Sequence, residues 1–585
     1  MTIKDLRALF LRRYNIPKER PIKRALRSFT MAEKTVFYFF TTLFILSGFI
    51  LVWKVSEAYL VQVPIQGGTL VEGVVGNPRF INPVLALSEA DKNLTALVYS
   101  GLVRLTPDGK VVNDLASSVS IGDNHLSYTV VISDDARFQD GNPVTVDDVI
   151  FTFQKIVDPM IKSPKRGNWD GVTLEKVDAH TLTFRLKKAY TPFIYNLTTG
   201  ILPKHIWKNV TDDEFSFSQF NTLPVGTGPY QVEGVERNSG GIPDYYKLAP
   251  YENILGQKPF IRNLIFKFYP SEDALIEAYN KGNVDAVGGI SPEKMADLDT
   301  RGATVIHSPL PRIFAVFFNQ SKSKVLLEKP VRLALDLAAP KEMIVENVLG
   351  TFGTVIDGPL PAGTYKWSAE RKNTGSPEER LVEAKEILAK AGWKANTETG
   401  LLEKKVGSAT MTLSFSISTG DAPELRAVAD ALRGAWEKLG ARIDVSVFET
   451  GDLNGNVIRP RQFDALLFGE VVGRDADVYP FWHSSQRNDP GLNIALYANT
   501  RADKFLSEAR GASDQETTER NLHLFQNEVQ ADLPAVFLYT PSFLYVMPEK
   551  VKDVNMGPLS VSQDRFLGIR DWYIETDRVW KIFLD

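Results

Sequence analysis

Apolar residues fall along this chain in three patterns. The first is an unbroken run, residues 35–53, in which aromatic and aliphatic side chains are interrupted only by Thr, Ser and Gly. At about 1.5 Å per helical residue it spans a hydrocarbon core of roughly 30 Å, and it has no polar face of the kind a buried helix would show. The second pattern is short and strand-like: residues 126–132, 180–186 and 260–268 alternate or run apolar. The third is helical and comes with caps. Residues 145–155 begin at Thr145 as N-cap, with Asp147 and Asp148 in the first turn where negative charge suits the helix dipole. Residues 377–391 have Ser376 as cap, Glu379 completing a capping box and Gly392 as the stop. Residues 422–439 have Asp421 as cap, Pro423 in the first turn and Gly440 beyond the end, followed by a strand at 442–448. Helix, glycine, strand in that order is an α/β unit. Between the first run and the rest, residues 62–68 read as a short linker.

Charge orients the apolar run. Residues 1–34 hold 10 Lys and Arg against Asp5, Glu19 and Glu33, whereas residues 54–68 are balanced. The basic end stays in the cytoplasm, so the chain beyond Trp53 lies outside. The run is longer than the roughly 7–15 apolar residues of a signal peptide, which favours a retained anchor; cleavage would have to use Ser56-Glu-Ala58. The chain has no cysteine. That excludes disulfides, thiolate chemistry and an N-terminal lipid, and leaves the helix as the tether. Beyond the leader, 57 Lys and Arg face 68 Asp and Glu, an acidic balance that argues against a nucleic-acid partner. About 530 residues outside the membrane are too many for one small core and imply two or more lobes.

Motifs for catalysis are scarce. The sequence has no Walker-type loop, His-Glu-x-x-His or Gly-x-Ser-x-Gly, and Gln231 stands where a dinucleotide loop starting at Gly226 needs its third glycine. Ser291-Pro-Glu-Lys294 and Ser321-Lys-Ser-Lys324 match Ser-x-x-Lys without the Lys-Thr-Gly or Ser-Asp-Asn elements that normally accompany it. The six histidines never cluster at metal-ligand spacing, so no metal is expected. Asp475 and Asp477 would share one face of a strand and repel unless one binds a cation or a ligand amine; they read equally as solvated loop aspartates. Phe481 reads as core, and Trp482 as either core or pocket wall.

Further segments carry a resemblance. They are Val98-Tyr-Ser-Gly-Leu-Val-Arg-Leu-Thr-Pro-Asp-Gly109 with Asp114-Leu-Ala116, Phe138-Gln-Asp-Gly-Asn-Pro-Val-Thr-Val-Asp-Asp-Val-Ile-Phe-Thr-Phe153, Ile201-Leu-Pro-Lys-His205 and Pro224-Val-Gly-Thr-Gly-Pro-Tyr230. Gly282-Asn-Val-Asp285, Val331-Arg-Leu-Ala-Leu335, Ala389-Lys-Ala-Gly-Trp393, Phe463-Asp-Ala-Leu-Leu-Phe-Gly469 and Asp532-Leu-Pro534 come after them in order. Together they resemble the extracytoplasmic solute-binding proteins of peptide-type ABC importers. The resemblance implies an α/β, two-lobed periplasmic-binding-protein-like fold with an extra subdomain in lobe I, here preceded by one transmembrane helix. It implies a monomer without catalytic residues, cofactor or metal, which delivers a solute to an ABC permease. The expected boundaries are a leader at 1–34, anchor at 35–53, linker at 54–68, lobe I at 69–310, lobe II at 311–538 and a return to lobe I at 539–585.

For the site, the resemblance places Asn82, Ser88 and Glu89 on a first pocket loop. It places Val471 and Gly473 where backbone meets an extended peptide and Asp475 on the peptide α-amine; Trp482 joins the candidates by residue type alone, as a pocket wall. The family also holds binders of nickel chelates, haem, opines and sugars, so ligand identity stays open. A ligand-sensing receptor without transport and an exported hydrolase are the alternatives, the latter resting on the two aspartates and the Ser-x-x-Lys matches.

Overall fold

In the computed structural model, which describes residues 27–122, 125–188, 190–365, 375–473, 476–512 and 514–581, the apolar run lies inside helix α1 (Met31–Tyr59). Thr30 and Glu33 close a capping box at its start, and its apolar side chains are exposed on all sides. It is long and apolar enough to cross a membrane. The expected linker is not one. The helix continues to Tyr59, and β1 (Leu60–Ile65) then pairs antiparallel with Glu575–Trp580. Leu60, Val61, Val63 and Ile65 give this stretch strand propensity, and the C-terminal strand satisfies its backbone. α1, β1 and Glu575–Trp580 make up one compact unit, and residues 66–574 another.

The second unit carries a sheet of twelve strands among the described residues. β2 (Gly67–Val75) runs parallel to Ile261–Tyr269 on one side and to β3 (Ala286–Gly288) on the other. β4 (Ala303–Pro309) is followed, past Leu310 and Pro311, by β5 (Arg312–Phe318), which pairs antiparallel with β6 (Ala465–Val471). β7 (Ala535–Pro548), 14 residues long, belongs to both halves. Its first part pairs with β5 (Ala315↔Phe537), its second with β4 (Val305↔Val546) and β3 (Gly288↔Tyr545). Two adjacent segments therefore cross from one half to the other. Pro309, Pro311 and Pro541 stand at the crossing, where the Leu310 N–H donates to the Pro541 carbonyl at 2.9 Å. Proline has no N–H to offer a ladder, so the sheet is weakened where it changes lobes.

Each half has its own core. The first packs Leu70, Phe266 and Tyr545 with α2 (Glu89–Val98). The second lies on both faces of β5 and β6, with Val316 and Leu467 on one and Phe317 and Leu466 on the other. This is the two-lobed α/β architecture expected. The inserted subdomain is a four-stranded antiparallel sheet that includes Ser127–Ile132 and Thr181–Leu186, beside α3 (Val146–Val157). Thr145 caps α3 with Asp148, whose Oδ2 accepts from the Thr145 N–H at 2.8 Å. Later, α4 (Pro377–Lys390) starts at the expected Ser376–Glu379 box. α5 (Pro423–Glu437) is capped by Ala422 rather than Asp421, because Pro423 takes the first helical position.

Close approach explains the Gly-Thr-Gly motif. A Cβ on Gly226 would stand 2.0 Å from the Val98 carbonyl oxygen, and one on Gly228 2.4 Å from that of Leu97. The motif backs onto the end of α2, with the Ser100 N–H donating to Thr227 Oγ1 at 3.0 Å. A buried ion pair ties the same lobe to the chain's end. Arg565 donates to Glu72 from Nη2 at 2.9 Å and to Asn93 Oδ1 from Nη1 at 3.0 Å, while Tyr545 donates to the other Glu72 oxygen at 2.5 Å.

Candidate functional site

Two concavities are relevant. At the strand crossing a cleft of about 630 Å³ is lined by residues 306–311, 362–364 and 554–560 together with Gly473. The end of β6 is held there: Val471 pairs with Arg312, and the Val472 N–H donates to the Pro311 carbonyl at 2.8 Å. Val471 is exposed, and Gly473 has φ +80° on the cleft wall. These two expected positions therefore reach the crossing. Arg474 and Asp475 lie outside the described residues.

The second concavity, about 270 Å³, lies in the first lobe and shares no lining residue with the cleft. Lys92, Thr95 and Tyr99 line it from α2 and its C-cap, at helical spacing that puts them on one face. Gln563 and Asp564 come from the short helix Ser562–Gly568, Lys165 and Thr198 from the subdomain side, and Arg104, Asp114 and Arg570 complete the wall. Gly200 lets the wall close, since a Cβ there would lie 2.6 Å from Tyr99 Cβ.

Its polar groups are unevenly satisfied. Arg570 and Asp114 pair at 3.5 Å, and burial raises the Asp114 pKa against the pull of Arg570. Asp564 Oδ2 accepts from the Ser560 N–H at 2.8 Å. Among the described residues Lys92, Lys165 and Arg104 form no ion pair, and the Lys165 ammonium has only Thr199 Oγ1 at 3.4 Å. Burial, then the charge of Lys92, lowers the Lys165 pKa to about 8. The Tyr99 hydroxyl, Thr95 Oγ1 and Gln563 Oε1 are buried without hydrogen-bond partners among the described residues. Convergent, unsatisfied polar groups in a lined cavity are what a small-molecule site requires. Three or more acidic or histidine side chains able to share a metal do not converge among the described residues.

Other expected site residues have structural roles. Asn82 is fully buried; its Nδ2 donates to Asn221 at 2.9 Å and its Oδ1 accepts from the Val84 N–H at 2.8 Å, which fixes the loop from inside. Ser88 is the N-cap of α2, with Oγ accepting from the Asp91 N–H at 3.1 Å. Glu89, beside it, is exposed, whereas the neighbouring Pro83 and Ala86 do line the cavity. Trp482 is core: it is 0% exposed and packs against Phe317, Tyr497, Phe525 and Phe537. Asp477 is not a solvated loop residue, because it pairs with Arg510 at 3.1 Å and accepts from the Tyr479 N–H.

Sequence reasoning missed the rim and the cavity. The Arg510 guanidinium, from the second lobe, lies 4.7 Å from the Tyr479 ring centre and 5.3 Å from that of Tyr190 in the first lobe. The two lobes thus meet on a shared cation. For the cavity a signal existed in the Lys92, Thr95, Tyr99 stripe on an otherwise buried helix; for Lys165 and Arg510 there was none.

The chain has extensive matches. The model of the bacterial extracellular solute-binding proteins, family 5 Middle, matches residues 110–491. The oligopeptide-binding protein AppA of Bacillus subtilis (strain 168) is 28% identical over 508 residues, covering 85% of this chain and 90% of AppA. The probable D,D-dipeptide-binding periplasmic protein DdpA of Escherichia coli (strain K12) is 24% identical over 503 residues, covering 84% and 92%. Among solved structures, AppA from Bacillus subtilis in complex with a nonapeptide gives a TM-score of 0.63 at 26% identity, covering 88% of this chain and 100% of that one. NikZ from Campylobacter jejuni in complex with Ni(L-His) gives 0.65 at 25% identity, covering 86% and 99%.

Proposed function

Because the chain belongs to the bacterial extracellular solute-binding proteins, family 5, we propose that its two lobes capture a peptide-like solute and hand it to an ABC permease. α1 holds the protein to the membrane, with the basic leader in the cytoplasm and the lobes outside. The protein binds and releases its solute without turning it over, and works as a monomer. The lobes follow the expected boundaries 69–310 and 311–538, with a return to the first lobe from 539 that ends at 574 rather than at the expected 585, because Glu575–Trp580 pairs with β1. The observation that carries the reading is the paired crossing strands between separate cores, with a cleft at the crossing and Arg510 bridging the rim. This arrangement suits hinge closure around a ligand. Peptide chemistry is supported by the names of AppA and DdpA and by the exposure of Val471 at the end of β6.

Asp475, two residues past Gly473, takes the α-amine of the solute in this reading. Calorimetry on the full chain in detergent tests it. Asp475→Asn should weaken binding of a free-amine peptide at least tenfold, about 1.4 kcal/mol, and have little effect on the N-acetylated peptide. Equal effects on both peptides would remove the amine anchor. Disappearance of the peptide over time would point instead to a hydrolase. Recovery of the intact N-terminus in the membrane fraction checks the anchor, and a soluble product starting near Gly67 would refute it.

A further inference from the structure

Resting on the reading that this protein captures a solute, we infer that the first-lobe cavity selects an anionic group of that solute, a carboxylate or a phosphate, held between Lys92 and Lys165. Charge accounting leads there. Of the four cations on the wall, Arg570 is already matched by Asp114, and the other wall acid, Asp564, is taken up by the backbone of residues 560 and 561. Arg104 lies in the field of the same Asp114, and only Lys92 and Lys165 are left without an acid among the described residues. Two lysines near enough for one to depress the other's affinity for a proton repel each other, and an anion between them removes that repulsion. Holding the two ammonium groups together carries a cost that a ligand of the right sign recovers.

A second observation is independent of charge. Tyr99 is 5% exposed, its hydroxyl has no partner among the described residues, and it lines the same cavity. A buried hydroxyl without a partner is destabilising, and an anionic oxygen is the acceptor that would satisfy it. Thr95 Oγ1, four residues earlier on the same face, is unpartnered as well. A cavity of about 270 Å³ is below the roughly 300–1,000 Å³ of a drug-sized pocket, so it fits one end of a solute rather than a whole oligopeptide.

The test is calorimetry on the full chain in detergent with four probes: trialanine, trialanine amide, Ala-Ala-Glu and inorganic phosphate. Trialanine should bind at least tenfold more tightly than its amide. Lys165→Met and Lys92→Met should each erase most of that ratio by weakening the free acid while leaving the amide within about twofold. Lys165→Arg, which keeps the charge, should retain binding within about threefold and serves as the check on folding. Preference for Ala-Ala-Glu over trialanine would place a side-chain acid in the cavity, whereas lysine-dependent phosphate binding alone would place a phosphorylated solute there and remove the peptide reading. If acid and amide bind equally, or the lysine variants weaken both equally, the inference fails and the capture reading stands. Failure of every anionic probe to bind at millimolar concentration also overturns the inference.

Discussion

Glu470 lies on β6 directly before the exposed Val471, on the face turned into the second lobe's core, and both carboxylate oxygens are buried without a well-formed hydrogen bond among the described residues. The nearby Trp482 indole N–H, also buried, makes only a weak contact with this carboxylate, short of good hydrogen-bond geometry. Burial drives the carboxyl pKa well above its usual 4.5, with Trp482 opposing the rise. Linkage sets the sign. Below the unfolded value both states carry the proton and the group is silent. Above it the unfolded chain releases the proton while the folded one keeps it, so stability falls as pH rises until the folded value is passed. The slope is about 1.4 kcal/mol per pH unit, which from the usual value to pH 7 sets a ceiling of about 3 kcal/mol. Glu470→Gln keeps the shape and a neutral polar group at every pH. It should match the wild type near pH 4.5 and exceed it in stability by up to about 3 kcal/mol at pH 7. Urea unfolding of the full chain at several pH values reads this directly, provided the denaturant slope is unchanged. A difference between variant and wild type that stays constant from pH 5 to pH 8 would refute the reasoning, since titration of other groups cancels in the comparison.

Two further outcomes are expected. Arg565 is 1% and Glu72 0% exposed, so Arg565→Met leaves an unpaired buried carboxylate and should cost about 3–5 kcal/mol in urea unfolding. The double variant Glu72→Leu/Arg565→Leu should recover much of that loss, and a double variant as unstable as the sum of its parts would argue against the pairing. At the rim, Arg510→Ala removes one ion pair and two ring contacts, together on the order of 1–2 kcal/mol. It should weaken peptide affinity about tenfold and leave the ligand-bound protein as expanded as the empty one in X-ray scattering; unchanged ligand-induced compaction would show that the rim cation does not hold the lobes together.

What the sequence made legible was local. Thr145 with Asp148 and Ser376 with Glu379 are reciprocal caps between residues three apart, so their geometry is nearly fixed once the residue types are known. The strands at 126–132, 180–186 and 260–268 came out within a residue or so of expectation for the same reason, since alternation is a local property. What failed was non-local. Leu60 faces Trp580 across a strand pair whose members stand at opposite ends of the chain, and nothing near residue 60 announces a partner there. A stretch with both glycine and proline then reads as a linker until its partner is seen.

The candidate site shows the same division, and it bears on where specificity is written. Asn82 and Trp482 were reasonable by residue type, since amides and indoles often meet ligands. Type, however, does not give direction. Asn82 turns inward to Asn221, and Trp482 fills the core between Phe317 and Phe537. The family's repeated motifs behave likewise: Gly226 and Gly228 exist to clear the α2 backbone, and Asp148 serves both the α3 cap and the Lys204 N–H at 2.8 Å. Residues that build the frame mark the fold while saying nothing of the cargo. Lys92 and Lys165 belong to no motif and come from separate segments, whereas Tyr99, at the C-cap of the helix that carries Lys92, opens the Val98-Tyr-Ser-Gly segment. They become a set only when α2, the subdomain and the Ser562–Gly568 helix enclose one cavity. If the cavity takes part of the solute as inferred, ligand choice rests with side chains that the frame tolerates rather than requires, and single substitutions there should change the solute without unfolding the protein.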